Sequence, residues 1–175
     1  MANLREIKKA FFQLSQKEQE LILKEIYGFS KDVKEFLNIR LLNSGEELYI
    51  EQIIKATDSS SKNSNSMPRT IQITKVNSIL SKARKSKVKK ETLCKMEWIA
   101  FEGYMLFLNS YGGPESYEDK VYDHLKNYLL LLKDISKDKE LNDEYDRIKQ
   151  YLRINKNMYY DHIWELFTEI TGEMV

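Results

Sequence analysis

One carboxylate lies where the sequence pattern makes a carboxylate costly. Glu97 falls in the middle of the apolar side of a helix predicted over residues 91–111, beside Phe101 and Tyr104. A buried carboxylate needs a hydrogen-bond donor or a cation, or it takes up a proton. We therefore expect Glu97 to be largely buried and to accept a hydrogen bond from the Tyr128 hydroxyl or from a neighbouring cation. A general acid or base in a cleft is the alternative interpretation.

The two histidines occur in matching Tyr-Asp-His sequences at 122–124 and 160–162. Asp–His pairs are common in metal sites, but adjacent residues of a helix face different directions. His124 falls on an apolar helix face and His162 on a polar one, so we predict one core histidine, one surface histidine and no metal or cofactor. Counting ~1.5 Å per residue from the predicted turn before 115 places His124 too close to that turn to reach Glu97.

The motifs of common enzyme classes are missing from the sequence. It contains no glycine-rich phosphate loop, no Gly-x-Ser-x-Gly and no His-Glu-x-x-His. Cys94 is the only cysteine, so no disulfide forms within the chain. Its place on the apolar side of the 91–111 helix predicts a buried, unreactive thiol. The sequence therefore predicts a protein that is not an enzyme.

One stretch of the sequence, residues 59–90, is strongly basic and suits a binding partner. Residues 59–90 carry nine basic and no acidic side chains, whereas residues 91–175 carry 10 basic and 17 acidic ones, although the net charge is only +1. Three interpretations stay open: internal docking on the acidic C-terminal helices, binding to an acidic protein, or binding to nucleic-acid phosphates. The candidate binding residues are Lys75, Lys82, Arg84, Lys85, Lys87, Lys89 and Lys90.

The elements that carry these residues are predicted to be helices throughout. Glycine (6) and proline (2) are scarce, and apolar residues recur at helical spacing. Capping boxes at 15–18 and 44–47 and a cap at Ser30 mark helix starts, whereas Gly28 and the turn at 112–114 mark helix ends. We predict an all-α fold of about eight helices, as a compact bundle or a short helical-pair solenoid.

The composition changes along the chain predict three parts. These are an N-terminal helical subdomain at 1–57, a flexible linker at 58–68 and a C-terminal core at 69–175 around the 91–111 helix. The N-terminus lacks the apolar run of a signal peptide, and no stretch reaches the ~18 apolar residues of a membrane span. A cytoplasmic protein without a membrane partner is therefore expected.

The spacing of residues 4–37, the pattern at 101–112 and the aromatic–Asp sequence at 159–169 resemble an uncharacterised bacterial family of small all-helical proteins, a domain of unknown function. That resemblance implies helical architecture and brings no activity with it. The family pattern places a histidine directly before the Asp. Here Tyr160 occupies that position, and His162 follows the Asp.

These patterns together favour a non-catalytic helical binding protein that acts through protein–protein contacts. The first alternative is a nucleic-acid-associated protein, or an inhibitor of a nucleic-acid machine from a mobile element, that uses the basic block 69–90. The second alternative is an enzyme with Glu97 or His124 as the acid or base. A second copy of the chain also stays open as a partner.

Overall fold

The computed structural model describes residues 2–60 and 68–173, and these residues form nine helices and no strand. The all-α prediction is confirmed, and the helix number is one higher than the predicted count. In chain order the helices are α1 (Leu4–Gln13), α2 (Gln16–Phe29), α3 (Lys31–Leu42), α4 (Glu47–Thr57), α5 (Ile73–Lys85), α6 (Lys90–Tyr111), α7 (Glu115–Ile135), α8 (Asp138–Ile154) and α9 (Tyr160–Thr171).

The chain divides into two units, Met1–Gly45 and Glu46–Val175. The sequence prediction places the first boundary at residue 57 and so assigns α4 to the N-terminal part. In the structure α4 packs against α5 and α6 of the second unit. The reason is a close approach between α4 and α6, since a Cβ added at Gly103 would lie 2.5 Å from the Cβ of Thr57. The predicted linker at 58–68 falls mostly on 61–67, outside the described residues.

Local signals define the three helices of the first unit. Ser15 and Glu18 form the predicted capping box, and the Ser30 hydroxyl accepts a hydrogen bond at the start of α3, as predicted. Gly28 does not end α2, which continues to Phe29. The Gln19 side chain joins α1 to α2 by donating to two α1-side carbonyls. Neither α1 nor α2 contains a buried residue.

The second unit is built around α6, the helix that the sequence predicted at 91–111. Ten of its 22 residues are buried. It contacts α4, α5 and α7, and the ring of Trp98 packs on Tyr151 of α8 at 5.2 Å between centroids. Helix α9 packs against α7. Among the described residues, no helix has the length and apolar character needed to span a lipid bilayer.

The start of α4 differs from the prediction, because no capping box forms at 44–47. The N-cap residue is Glu46, without a side-chain hydrogen bond to its own helix. Its carboxylate instead accepts hydrogen bonds from the backbone N–H of Lys89, at 3.2 Å, and from the Thr92 hydroxyl. An acidic group is favoured at the positive end of a helix dipole, so Glu46 caps α6 and ties α4 to it.

Candidate functional site

Glu97 is fully buried, with an exposed fraction of 0%. Arg84 of α5 donates to one carboxylate oxygen, and Nδ1 of His124 on α7 lies 2.6 Å from the other. An ionised carboxylate only accepts hydrogen bonds, so Nδ1 is the donor in the pair with an ionised Glu97. The predicted burial with a cation partner is confirmed. The Tyr128 alternative is wrong, because the Tyr128 hydroxyl donates to Glu144.

The prediction that His124 lies too near the turn to reach Glu97 is also wrong. That prediction assumed that the end of α6 and the start of α7 lie at the same height along the helix axes. In the structure Gly113 packs onto the side of α6, and the turn folds back along that helix. Tyr117, the third residue of α7, therefore lies beside Phe107, with ring centroids 5.1 Å apart. Further along the two helices, Nδ1 of His124 reaches the Glu97 carboxylate.

The two histidines lie in different environments, as predicted. His124 is 3% exposed, and its ring stacks on Tyr104 with centroids 5.6 Å apart. The side chain of His162 is 71% exposed and lies 3.9 Å from Glu165. Among the described residues, no group of three His, Cys, Asp or Glu side chains has a metal-binding arrangement.

A carboxylate that holds an imidazole through Nδ1 leaves Nε2 free to act as a base when a substrate reaches it. Here Nε2 of His124 is buried and has no hydrogen-bond partner among the described residues, and the same holds for the Tyr104 hydroxyl above it. The contacts that Glu97 makes join three helices, α5, α6 and α7. Cys94 is buried, as predicted, and this burial raises the pKa of its thiol to about 12.

No protein-family model matches this chain. No curated protein and no solved structure matches it either. The resemblance to the uncharacterised bacterial family therefore stays a prediction. The function of the chain is therefore inferred from its own contacts, exposed surfaces and charges.

The structure separates the seven candidate basic residues by their exposure and their ion-pair partners. Arg84 binds the buried Glu97, and Lys90 forms an exposed salt bridge with Asp134 of α7 at 3.1 Å, so both are paired within the chain. Lys82 is partly buried. Four residues are exposed and make no ion pair within the described part of the chain: Lys75, Lys85, Lys87 and Lys89. The apolar side of α5 is buried, whereas most of its basic side faces solvent.

An apolar groove between α2 and α3 is a site that the sequence did not predict. Its volume is about 340 Å³. The apolar lining residues are Leu23, Tyr27, Leu37, Leu41 and Leu42. The missed signal was the excess of adjacent apolar residues at 21–23 and 41–42, because one helix stripe cannot bury consecutive side chains.

Proposed function

We propose that this chain is a non-catalytic helical binding protein that acts through protein–protein contacts. The observation that carries the proposal is the apolar exposure of residues 1–45. Neither α1 nor α2 has a buried residue, and eleven large apolar side chains of this unit are 39–85% exposed. Contiguous exposed apolar surface is typical of sites where proteins bind one another.

The groove supports a specific mode of binding. Glu20, Leu23, Lys24 and Tyr27 recur at the spacing of one face of α2, and α3 supplies the opposite wall. Two walls of apolar side chains with polar residues among them suit the apolar face of an amphipathic helix. The partner would present apolar residues at i, i+3 or i+4, and i+7. An acidic group of the partner near Lys24 and a basic group near Glu20 would complement the polar residues of the groove.

The burial of Glu97 and His124 supports the non-catalytic part of the proposal, since a substrate has no access to a group that solvent does not reach. The same burial argues against the enzyme alternative that uses these two residues. A cytoplasmic location and an arrangement as a compact bundle or short solenoid stay predictions that accompany the proposal.

The test is affinity capture on the immobilised full-length protein from an extract of cells that naturally produce it. The double variant Leu23→Asp/Leu41→Asp places two charges in the groove. We expect the wild type to retain one or a few proteins in stoichiometric amounts and the groove variant to lose them at least tenfold, as measured by quantitative mass spectrometry. A lysine-directed cross-linker should then connect the partner to Lys24.

The matched control is Leu106→Asp/Leu130→Asp, which changes two exposed leucines outside the groove. This variant should retain the same proteins as the wild type. Equal retention by the groove variant, or cross-links that never include Lys24, would rule out the groove. The absence of any retained protein would rule out the binding function itself.

A further inference from the structure

Four exposed lysines that make no ion pair within the described part of the chain lie on α5 and on its connection to α6. Lys75 and Lys85 are ten residues apart on α5, which is ~15 Å along the helix axis and about 80° around it. Lys87 and Lys89 follow within four residues of Lys85, in the connection to α6. We propose that this basic surface, Lys75, Lys85, Lys87 and Lys89, binds the phosphate backbone of nucleic acid.

The connection between α5 and α6 holds its lysines outward. Buried and exposed residues alternate there, since Ser86 and Val88 are buried whereas Lys87 and Lys89 are exposed. The Ser86 hydroxyl is 3.0 Å from the Tyr49 hydroxyl of α4. Together with the contact of Glu46 to the Lys89 backbone, this anchors both ends of the connection. The backbone that carries Lys87 and Lys89 is therefore held in place, which lowers the backbone entropy lost on binding.

The chemistry of this surface favours phosphates over an acidic protein. Protein interfaces have apolar or aromatic anchors at their centre. Among residues 69–90, which carry the basic surface, no large apolar side chain is exposed; the exposed Leu130 of α7 lies near Arg84 and outside the four lysines. Phosphate binding needs only cations, because it is driven by the release of counterions. The N-terminal groove and the basic surface thus suit different classes of partner.

Lysine makes point-charge contacts and lacks the planar fork that reads base edges. Binding should therefore be independent of base sequence and similar for DNA and RNA. Four contacts predict a slope of about −3.6 for log K against log salt with duplex DNA, and about −2.8 with a single strand. Duplex affinity should fall about 150-fold between 50 and 200 mM salt.

The test measures fluorescence anisotropy of the full-length protein with two labelled probes, a DNA duplex of 20 base pairs and a single-stranded RNA of 20 nucleotides. The triple variant Lys75→Gln/Lys85→Gln/Lys87→Gln leaves one of the four cations. We expect it to bind both probes at least tenfold more weakly at 50 mM salt. Its duplex slope should fall to about −0.9.

The charge-matched control is Lys8→Gln/Lys9→Gln/Lys17→Gln, which removes three exposed cations from the first unit. It should bind within threefold of the wild type, and all three proteins should melt at the same temperature. Failure of the wild type to bind at 50 mM salt, or equal losses in both variants, would overturn the proposal. Tighter binding of a poly-glutamate peptide than of either probe would assign the surface to an acidic protein. The groove variant Leu23→Asp/Leu41→Asp should bind both probes normally, so the outcome is independent of the proposed protein partner.

Discussion

At the scale of single residues, Glu97 determines how α5, α6 and α7 meet. A buried carboxylate loses its hydration, and only good partners offset that cost. Arg84 and His124 supply them from two different helices. The Arg84 side chain is 48% exposed, so its charge stays partly hydrated while it neutralises the carboxylate. The contact therefore specifies one arrangement of the three helices more than it adds stability.

We predict that Glu97→Leu lowers the free energy of unfolding by about 1–3 kcal/mol, because it leaves the buried Nδ1 of His124 without an acceptor. Glu97→Gln should cost less, since its amide oxygen still accepts one hydrogen bond. Urea unfolding at pH 7, followed by circular dichroism, measures both variants. Lys95→Leu changes an exposed residue two positions earlier and serves as the control. A Leu variant as stable as the Gln variant would show that the hydrogen bond to His124 contributes nothing.

At the scale of helices, two glycines inside helices have opposite roles. Gly103 lies in α6, where a Cβ would meet Thr57 of α4 at 2.5 Å. Gly28 lies in α2 with nothing within 4 Å of the same position. A glycine in a helix is less favourable than alanine by roughly 0.5–1 kcal/mol. Packing explains a helical glycine only where a Cβ would not fit. Only Gly103 is required by packing.

We predict opposite effects of alanine at these two positions. Gly103→Ala should destabilise the protein by about 1–3 kcal/mol, because the Cβ of Thr57 belongs to a packed helix and cannot move aside cheaply. Gly28→Ala should leave stability unchanged or raise it by up to about 1 kcal/mol through helix propensity. Thermal unfolding by calorimetry distinguishes the two. A stabilising Gly103→Ala would mean that α4 does not pack closely on α6.

At the scale of the whole molecule, the boundary between the two units lies after Gly45 and not after residue 57. Helix α4 contributes Tyr49 and Ile53 to the core of the second unit, where they are 2% and 0% exposed. Removal of α4 would uncover the surfaces of α5 and α6 on which it packs. The second unit is therefore complete only when it includes α4.

We predict that a chain of residues 46–175 folds cooperatively on its own, whereas a chain of residues 58–175 does not. The shorter chain loses the apolar burial of α4 and the cap that Glu46 provides for α6. Circular dichroism, binding of a hydrophobic dye and proton NMR dispersion report folding of each. Similar stability of the two chains would place the boundary where the sequence put it.

The sequence by itself determined the features that depend on neighbours along the chain. Helix type and most helix limits follow from apolar periodicity, and the caps at Ser15 and Ser30 and the turn at 112–114 follow from local hydrogen bonding and backbone conformation. The burial of Glu97, Cys94 and His124 followed from helix faces for the same reason. Each of these properties is set within a few residues, so a single sequence contains it.

Only the tertiary structure decided which helices contact each other and at what axial offset they pack. The turn at 112–114 overlaps α7 with α6 and brings His124 to Glu97, a shift that residue counting cannot detect. The Glu46 carboxylate caps α6 and not its own helix, and the absence of a side chain at Gly103 lets α4 pack closely on α6. The groove between α2 and α3 and the four unpaired lysines likewise depend on what packs nearby. Such contacts join residues distant along the chain, and their geometry is fixed by packing and not by periodicity.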